Sequence, residues 1–260
     1  MKVVILAGGR GTRISEESYL RPKPMVEIGD APILWHIMKT YSHYGYNEFI
    51  ICLGYKGYII KEYFANYYRH MSEAITYDFT TGNTQEVHRN KVEPWKITLV
   101  DTGLDTMTGS RIKRIQSFVG NNPFMLTYGD GLANINIAEL VHCHKQSGKR
   151  ATITAVQPDG RFGRLELNQN QVIGFTEKVK GDGGWINGGY MVCQPEVFNY
   201  ISDLNHTILE QGPLETLASH GELNVFKHQS FWQPIDTLRE KILMDELWKS
   251  QRAPWKVWEE

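Results

Sequence analysis

Short apolar runs alternate with amphipathic segments through the first half of the chain, and this alternation limits the fold more than any other feature. The runs are rich in β-branched residues and are typical of buried strands, whereas the segments between them repeat apolar residues at helical spacing. A clear strand is "EFIICLGY" and a clear helix is "PILWHIMKTYSHYG". Strand and helix in this order predict an α/β fold, a Rossmann-like, mainly parallel sheet flanked by helices. Its ligand crevice is expected at the carboxyl ends of the strands.

Two stretches interrupt this alternation. Residues 73–100 predict a β excursion from the main sheet, and residues 160–193 combine many glycines with short strands. No repeat, low-complexity tract or linker divides the chain, so we predict a single domain over residues 1–260. We expect the tail "APWKVWEE" to dock on the surface of this chain or of another subunit.

The composition excludes several classes of protein. The chain has 260 residues and a formal net charge of −1, which gives no overall attraction to nucleic acid or to an anionic membrane. No apolar run approaches the roughly 18 residues that a membrane span requires. Three cysteines, far apart and odd in number, predict neither a disulfide framework nor a CxxC metal site. We therefore predict a soluble, cytoplasmic protein.

The first predicted strand ends in a basic, glycine-rich loop with the sequence "LAGGRGTR". A dinucleotide-binding fingerprint needs a third glycine or alanine where this chain has Ile14, and a P-loop needs a Lys-Ser/Thr pair that is missing here. A tight turn whose glycines only relieve backbone strain is the simplest alternative. The other interpretation is a cradle for a nucleoside triphosphate, because glycines let backbone N–H groups approach phosphate oxygens. The residues of the predicted cradle are Leu6, Ala7, Gly8, Gly9, Arg10, Gly11 and Thr12.

Two cations accompany this loop. Arg13 can bind phosphate oxygens in a bidentate manner. Lys23 lies between Pro22 and Pro24, whose fixed φ angles stiffen the backbone that presents it. A solvated charge is the alternative for a single lysine, but its position soon after the loop favours a phosphate contact. Arg13 and Lys23 are therefore predicted to be catalytic residues that neutralise the triphosphate.

The loop and the segment after it resemble the signature of the sugar-1-phosphate nucleotidylyltransferases. The matching stretches are "LAGGRGTR" and "RPKPMVEIGDAPILWHIM". Later motifs resemble the branch of that family that transfers a cytidylyl group, namely "LGYKGYIIKEYF", "VEPWKITLVDTG", "MTGSRIKRI", "TYGDG", "GRFGRLEL" and "FWQPIDTLREK". The likeness covers essentially the whole chain and implies a fold of the nucleotide-diphospho-sugar transferase type.

Two aspartates are candidate ligands for a divalent metal ion. Asp130 follows a predicted strand in "TYGDG", and Asp236 precedes a predicted helix in "QPIDT". Carboxylate oxygens suit Mg²⁺, although Asp236 could equally be the N-cap of that helix. The family places its magnesium between aspartates that match these two. The resemblance therefore implies Mg²⁺ as the cofactor, with Asp130 and Asp236 as its ligands.

The resemblance also assigns residues to the two substrates. The sugar-binding part is expected at about residues 160–236, with the sugar phosphate bound by Glu177, Lys178, Asn187 and Gly188. Related enzymes carry a Glu-Lys-Pro motif there, where this chain has Val179 instead of proline. An exposed Glu-Lys pair on a turn is the alternative. The nucleotide is expected to contact Thr106, Arg111 and Gly129, although Arg111 could instead be a solvated charge or a partner of its own helix.

The reaction implied by the resemblance is the transfer of CMP from CTP to α-D-glucose 1-phosphate, giving CDP-glucose and pyrophosphate. The resemblance further implies a homo-oligomer and a product that feeds deoxysugar synthesis for a surface polysaccharide such as the O-antigen of lipopolysaccharide. CTP and glucose 1-phosphate are the expected partners, with no nucleic acid and no membrane. The alternatives are a uridylyl- or thymidylyltransferase, a non-catalytic regulatory subunit that binds nucleotide sugars, and a nicotinamide-dependent oxidoreductase.

Overall fold

The computed structural model describes residues 1–11, 19–80, 82–158, 164–169, 171–176 and 184–259. The strands of this part are β1 (Lys2–Ala7), β2 (Glu27–Ile28), β3 (Ala31–Pro32), β4 (Glu48–Leu53), β5 (Ser72–Asp78), β6 (Thr84–Asn90), β7 (Lys96–Asp101), β8 (Phe124–Tyr128), β9 (Gly131–Ala133), β10 (Ala151–Val156), β11 (Arg164–Asn168), β12 (Gln171–Thr176), β13 (Ile186–Cys193), β14 (Leu223–His228) and β15 (Trp232–Pro234).

The helices of the described residues connect these strands. They are α1 (Ile33–His43), α2 (Gly57–Ala65), α3 (Tyr67–His70), α4 (Thr108–Arg114), α5 (Gln116–Val119), α6 (Ile137–Ser147), α7 (Pro213–Ser219) and α8 (Leu238–Lys249). Short 3₁₀ turns occupy Lys23–Met25 and Pro195–Tyr200. Among the helices of this part of the chain, none is both long enough and apolar enough to cross a membrane.

Seven strands form the central sheet, in the order β14-β10-β13-β8-β1-β4-β7. Every pairing is parallel except those of β13, which runs antiparallel to both β8 and β10. The chain first builds β4 and β7 on one side of β1 and then places β8 on the other side. The switch point of the topology therefore lies between β1 and β8, where ligand crevices form in such sheets. The predicted α/β fold with a mainly parallel sheet is confirmed.

Helices cover both faces of this sheet because alternate residues of β1 point in opposite directions. Val3 and Ile5 are fully buried in one core, against α1 and α6. Val4 is fully buried in a second core, with apolar side chains of α4, α5 and α7. Strands buried on both faces are expected to be apolar throughout, as the first predicted strand is.

The β excursion is real but shorter than the sequence predicts. Among the described strands, β5 and β6 pair with each other alone, in an antiparallel hairpin. Residues 96–100, which the prediction included in the excursion, belong to β7, and this strand pairs in parallel with β4 at the edge of the main sheet. A second hairpin, β11–β12, accounts for short strands within the glycine-rich region. Whether the chain forms one domain over residues 1–260 stays a prediction.

The C-terminal tail belongs to the core, so the expectation of a surface-docked tail is wrong. Trp255 is fully buried, and Trp258 keeps only 8% of its surface exposed. The Trp255 indole N–H donates to Nδ1 of His36 on α1 at 3.4 Å, and its ring stacks on Phe231 with centroids 5.6 Å apart. The tail therefore packs α1 against the segment that leads into β15.

His36 makes the stability of this core depend on pH. Its Nε2 donates to the carbonyl of Ile28 at 2.9 Å, and burial lowers the pKa of its imidazole to about 4. Between this pKa and the usual 6.5, the unfolded chain binds a proton that the folded chain does not. The free energy of unfolding is therefore expected to be highest above pH 6.5 and to fall by about 3 kcal/mol as the pH approaches 4.

Urea denaturation at several pH values measures this dependence. His36→Gln keeps an N–H donor for the Ile28 carbonyl but does not titrate in this range, so its stability should change less with pH. Some dependence should persist, because burial also lowers the pKa of His144. Identical pH profiles for the variant and the wild-type protein would contradict the assignment to His36.

Candidate active site

The carboxyl ends of β1, β4, β7 and β8 lie side by side at one edge of the sheet, because these strands are parallel. The glycine loop follows β1, and Gly129 with Asp130 follows β8. The antiparallel strand β13 begins at the same edge, so Asn187 also lies there. The sheet therefore gathers most of the predicted site residues at its topological switch point.

A short antiparallel ladder brings the two predicted metal ligands together. Strand β9 pairs with β15, with Gly131 opposite Pro234. Asp130 precedes β9 and Asp236 follows β15, and the Ile235 N–H donates to the Asp130 carbonyl at 2.9 Å. Two residues that are distant in the sequence are thus adjacent in the fold.

Asp236 is not the N-cap of helix α8. The cap is Thr237, whose hydroxyl accepts from the Glu240 N–H at 3.3 Å. The Glu240 carboxylate accepts from the backbone N–H groups of Asp236 and Thr237, at 2.7 and 2.8 Å, which completes a capping box. The Asp236 carboxylate therefore serves another purpose than capping.

That purpose involves Lys23. Its ammonium lies 2.8 Å from Asp130 Oδ2 and 2.6 Å from Asp236 Oδ1. The lysine side chain is 9% exposed, the Asp236 side chain 14% and the Asp130 side chain 41%. The 3₁₀ turn after Pro22 fixes this position, and its Val26 N–H donates to the Lys23 carbonyl at 3.0 Å. One buried cation therefore bridges the two carboxylates.

The two carboxylates also suit a divalent metal ion. They converge on a single cation, and the exposed fraction of Asp130 leaves room for further ligands. The described residues contain no larger cluster, of three or more histidine, cysteine, aspartate or glutamate side chains, that could hold a metal ion. A metal ion at this site would therefore have two carboxylate ligands from the described residues. This arrangement fits Mg²⁺, which commonly binds one or two carboxylates and completes its shell with phosphate oxygens and water.

The glycine loop is fixed to the neighbouring strands through its backbone. The Leu6 carbonyl accepts from the Gly129 N–H at 3.0 Å, and the Gly8 carbonyl accepts from the Tyr55 N–H at 3.2 Å. A Cβ atom on Gly129 would lie 2.7 Å from the Leu6 oxygen, so glycine is required there. By contrast, a Cβ on Gly9 would meet no described residue within 4 Å, so the described part of the loop is open on that side. Such an open backbone suits the close approach of a phosphate.

Arg10 connects this loop to the segment after β7, and Thr106 connects that segment to helix α4. Arg10 forms an exposed ion pair with Asp105 at 2.6 Å. Thr106 is buried, and its hydroxyl accepts from Arg114 Nη1 at 3.0 Å. A nucleotide contact by Thr106 stays a prediction.

Arg111 extends from helix α4 beneath the loop and is only 5% exposed. Burial lowers the pKa of its guanidinium, which nevertheless stays protonated at neutral pH. The guanidinium donates at 2.7–3.2 Å to five uncharged oxygens, which belong to Gly8, Leu53, Thr102, Gly103 and Leu104. It thereby ties together the segments that follow β1, β4 and β7. A direct contact with the nucleotide stays a prediction; the contacts present are those of a residue that positions the loop.

Arg111→Lys is expected to lower the free energy of unfolding by about 2–3 kcal/mol, because lysine offers fewer donors and leaves buried carbonyls without partners. Urea denaturation measures this, and Arg69→Lys on the exposed side of α3 is the matched control. Equal stability changes in the two variants would contradict the role assigned to Arg111.

Two of the residues predicted to bind the sugar, Asn187 and Gly188, lie at the start of β13. The Asn187 side chain accepts from the Gly189 N–H at 2.8 Å and donates to the Tyr128 hydroxyl at 3.3 Å. The Gly188 carbonyl accepts from the Trp232 indole N–H at 2.8 Å, which ties β13 to β15. A Cβ on Gly188 would lie 2.8 Å from Val156 Cγ1, so glycine keeps the two strands close.

Four of the predicted site residues lie outside the described residues. They are Thr12 and Arg13 of the glycine loop and Glu177 and Lys178 of the sugar side. Their contacts with substrates stay predictions.

Comparison with known proteins shows the family to which the chain belongs. The family model described as "Nucleotidyl transferase" matches residues 2–235 of the chain. The chain belongs to the nucleotidyl transferase family. This match and the relatives described next confirm the resemblance to sugar-1-phosphate nucleotidylyltransferases, and the protein is an enzyme of the transferase class. Members of this family generally use a divalent metal ion.

Curated relatives of this nucleotidyltransferase match it along its whole length. It is 56% identical to the glucose-1-phosphate cytidylyltransferase of Salmonella typhimurium over 260 residues, which is 100% of both chains. It is 46% identical to a probable glucose-1-phosphate cytidylyltransferase of Bacillus subtilis, over 99% of this chain and 100% of the relative.

Solved structures share the fold of this nucleotidyltransferase at low sequence identity. A UDP-glucose pyrophosphorylase complexed with UDP-glucose superposes with a TM-score of 0.69 at 14% identity, over 96% of this chain and 99% of the other. A putative glucose-1-phosphate thymidylyltransferase from Bacillus anthracis gives 0.66 at 17% identity, over 100% and 98%. The chain therefore has the same fold as these two proteins.

Sequence reasoning missed Tyr128 and Glu210, two residues of this nucleotidyltransferase that connect Asn187 to helix α4. The Tyr128 hydroxyl donates to the Glu210 carboxylate, which also accepts from the Thr108 hydroxyl at 2.8 Å. Tyr128 could have been noticed as the residue before Gly129 and Asp130 in "TYGDG". Glu210 gives no signal, because it lies in a loop without a motif.

Proposed function

We propose that this nucleotidyltransferase transfers CMP from CTP to α-D-glucose 1-phosphate, giving CDP-glucose and pyrophosphate. The observation that carries the proposal is the 56% identity over the whole chain to the glucose-1-phosphate cytidylyltransferase of Salmonella typhimurium. The cluster of Lys23, Asp130 and Asp236 at the switch point of the sheet supplies the charges that such a reaction requires.

The chemistry joins two polyanions, so positioning and charge neutralisation are its main requirements. A phosphate oxygen of glucose 1-phosphate attacks the α-phosphorus of CTP. The new phosphorus–oxygen bond forms as the bond to the β-phosphate oxygen breaks, and pyrophosphate leaves. No general base is needed, because the attacking phosphate is already ionised.

We assign the residues to this reaction as follows. Backbone N–H groups of residues 6–12 bind the triphosphate, and Arg13 with Lys23 neutralises it. Asp130 and Asp236 hold the divalent cation, which we propose to be Mg²⁺. When bound, this ion supplies positive charge beside the phosphate oxygens. Thr106, Arg111 and Gly129 form the nucleotide pocket, and Glu177, Lys178, Asn187 and Gly188 bind the sugar phosphate.

Two alternatives make different predictions about the same site. A uridylyl- or thymidylyltransferase would use the same charges with another base. A non-catalytic regulatory subunit would not need them, and the presence of Lys23, Asp130 and Asp236 in mutual contact favours an enzyme.

The test is pyrophosphate release from glucose 1-phosphate and Mg²⁺ with CTP, UTP, dTTP, ATP and GTP in parallel. We expect release with CTP that is roughly 100-fold faster than with the other four, since an incorrect base leaves polar groups of the pocket unpaired. Faster release with UTP or dTTP would overturn the assignment of the base. Silence with all five nucleotides, from a folded protein, would overturn the proposed reaction.

We further propose a cytoplasmic homo-oligomer whose contacts include the hairpin β5–β6. Tyr77 is 51% exposed and Phe79 76% exposed, and their rings stack with centroids 6.1 Å apart. Isolated two-stranded hairpins are marginally stable in water, so a partner surface would stabilise this one. Tyr77→Asp combined with Phe79→Asp should lower the mass measured by light scattering; a monomeric wild-type protein would contradict the assembly.

We also propose that the product would supply deoxysugar synthesis for a surface polysaccharide.

A further inference from the structure

Glu210 lies in the loop before α7 and connects two parts of the site. One carboxylate oxygen, Oε2, accepts from the Thr108 hydroxyl at 2.8 Å, and the other, Oε1, accepts from the Tyr128 hydroxyl. Thr108 is the first residue of α4, the helix that carries Arg111. Tyr128 is the last residue of β8 and directly precedes Gly129 and Asp130.

The contacts continue from Thr108 into the loop and from Tyr128 into the sugar side. The Thr108 hydroxyl also accepts from the Leu209 N–H at 2.9 Å, which fixes the loop backbone beside α4. The Tyr128 hydroxyl accepts from the Asn187 side-chain amide at 3.3 Å. The Asn187 side-chain oxygen accepts from the Gly189 N–H at 2.8 Å, so Gly189 and the Tyr128 hydroxyl together hold the amide in one orientation. Burial and the nearby Glu210 charge raise the pKa of Tyr128, so its hydroxyl keeps the proton that it donates.

We propose that Glu210 is a positioning residue that joins the nucleotide half of the site to the sugar half. Through Thr108 it holds the start of helix α4, and through Tyr128 it orients the Asn187 amide toward the sugar. No substrate needs to touch Glu210 for this role. The inference rests on the proposed function, because that function assigns Asn187 to the sugar and Arg111 to the nucleotide.

Packing holds the aromatic ring of Tyr128, but hydrogen bonds are needed to orient its hydroxyl. A Cβ on Gly189, whose φ is +78°, would lie 2.7 Å from Tyr128 Cδ2, so the backbone of β13 rests against the ring. The ring is thus held by van der Waals contact, whereas its hydroxyl is oriented only by Glu210 and Asn187 among the described residues. Loss of the Glu210 acceptor would leave the Tyr128 ring in place but free its hydroxyl to rotate. The Asn187 amide would then keep its contact with the Gly189 N–H but lose a fixed partner on its nitrogen side.

Steady-state kinetics of Glu210→Ala, Glu210→Gln, Tyr128→Phe and Thr108→Val test the proposal. We expect Glu210→Ala to raise the KM values for both substrates roughly 10-fold, because a fold-change of this size corresponds to the loss of a hydrogen bond to a charged group. The value of kcat should change less than about threefold. Tyr128→Phe should raise mainly the KM for glucose 1-phosphate, and Thr108→Val mainly the KM for CTP. Glu210→Gln keeps a carbonyl acceptor for Tyr128 and should restore the KM for glucose 1-phosphate to within about threefold.

Glu196→Ala is the matched control, because this exposed glutamate follows β13 at the opposite edge of the sheet. Circular dichroism and thermal melting test whether each variant folds. If Glu210→Ala does not fold, the KM values of Glu210→Gln and Tyr128→Phe test the proposal instead. KM values within twofold of the wild-type enzyme in folded Glu210→Ala and Tyr128→Phe would overturn this inference alone. A wild-type protein that does not turn over CTP and glucose 1-phosphate would overturn the proposed function and the inference with it.

Discussion

Asp236→Asn is expected to lower kcat by roughly 10²–10³-fold, the loss typical when a group that stabilises charge in the transition state is removed. The carboxylate lies 2.6 Å from Lys23 and shares that cation with Asp130. Asparagine keeps the shape of the side chain but removes one of the two negative charges. Both the position of Lys23 and the affinity of the site for a divalent ion depend on those charges. Asp130→Asn should have a similar effect.

Initial rates of pyrophosphate release measure kcat, and titration with Mn²⁺ followed by electron paramagnetic resonance measures metal affinity independently of turnover. Asp203→Asn, in an exposed loop, is the control for loss of one aspartate charge. The assignment fails if Asp236→Asn keeps kcat within threefold of the wild-type value and binds Mn²⁺ as tightly.

Trp255→Ala is expected to lower the free energy of unfolding by about 3–5 kcal/mol, the usual cost of truncating a large buried aromatic residue. The indole is fully buried and contacts His36, Phe231 and Trp248. Truncation leaves a cavity between α1 and the segment before β15, and Asp236 lies two residues after that strand. Activity should therefore be lost at a lower urea concentration as well.

Urea denaturation followed by circular dichroism measures this change. Trp185→Ala is the control, because that tryptophan is 36% exposed and should cost less than about 1 kcal/mol. If Trp255→Ala were as stable as Trp185→Ala, the tail would not belong to the core.

The main sheet could be predicted from the sequence because its strands are continuous apolar runs, and the segments between them repeat apolar residues at helical spacing. The end of the β excursion was placed wrongly, because the predicted range of residues 73–100 included most of β7, which belongs to the main sheet. The prediction also failed at the tail, since Trp255 and Trp258 carry no periodic pattern and their burial depends on α1, which is more than 200 residues away along the chain.

The candidate site was predictable as a set of residue types but not as a set of contacts. Lys23 meets aspartates that lie 107 and 213 residues further along the chain. Their meeting depends on β9 and β15, strands of three residues that are too short to give a pattern. Arg111 was noticed as a charge, but its five acceptors are mostly backbone carbonyls, which look alike in any sequence.

Product identification tests the central claim most directly. The enzyme would be incubated with CTP, Mg²⁺ and uniformly ¹³C-labelled glucose 1-phosphate, and the mixture would be analysed by mass spectrometry. We expect labelled CDP-glucose and pyrophosphate in equal amounts, and neither product without the metal ion. Pyrophosphate without labelled CDP-glucose, or a labelled sugar joined to another nucleotide when all four ribonucleoside triphosphates and dTTP compete, would contradict the claim.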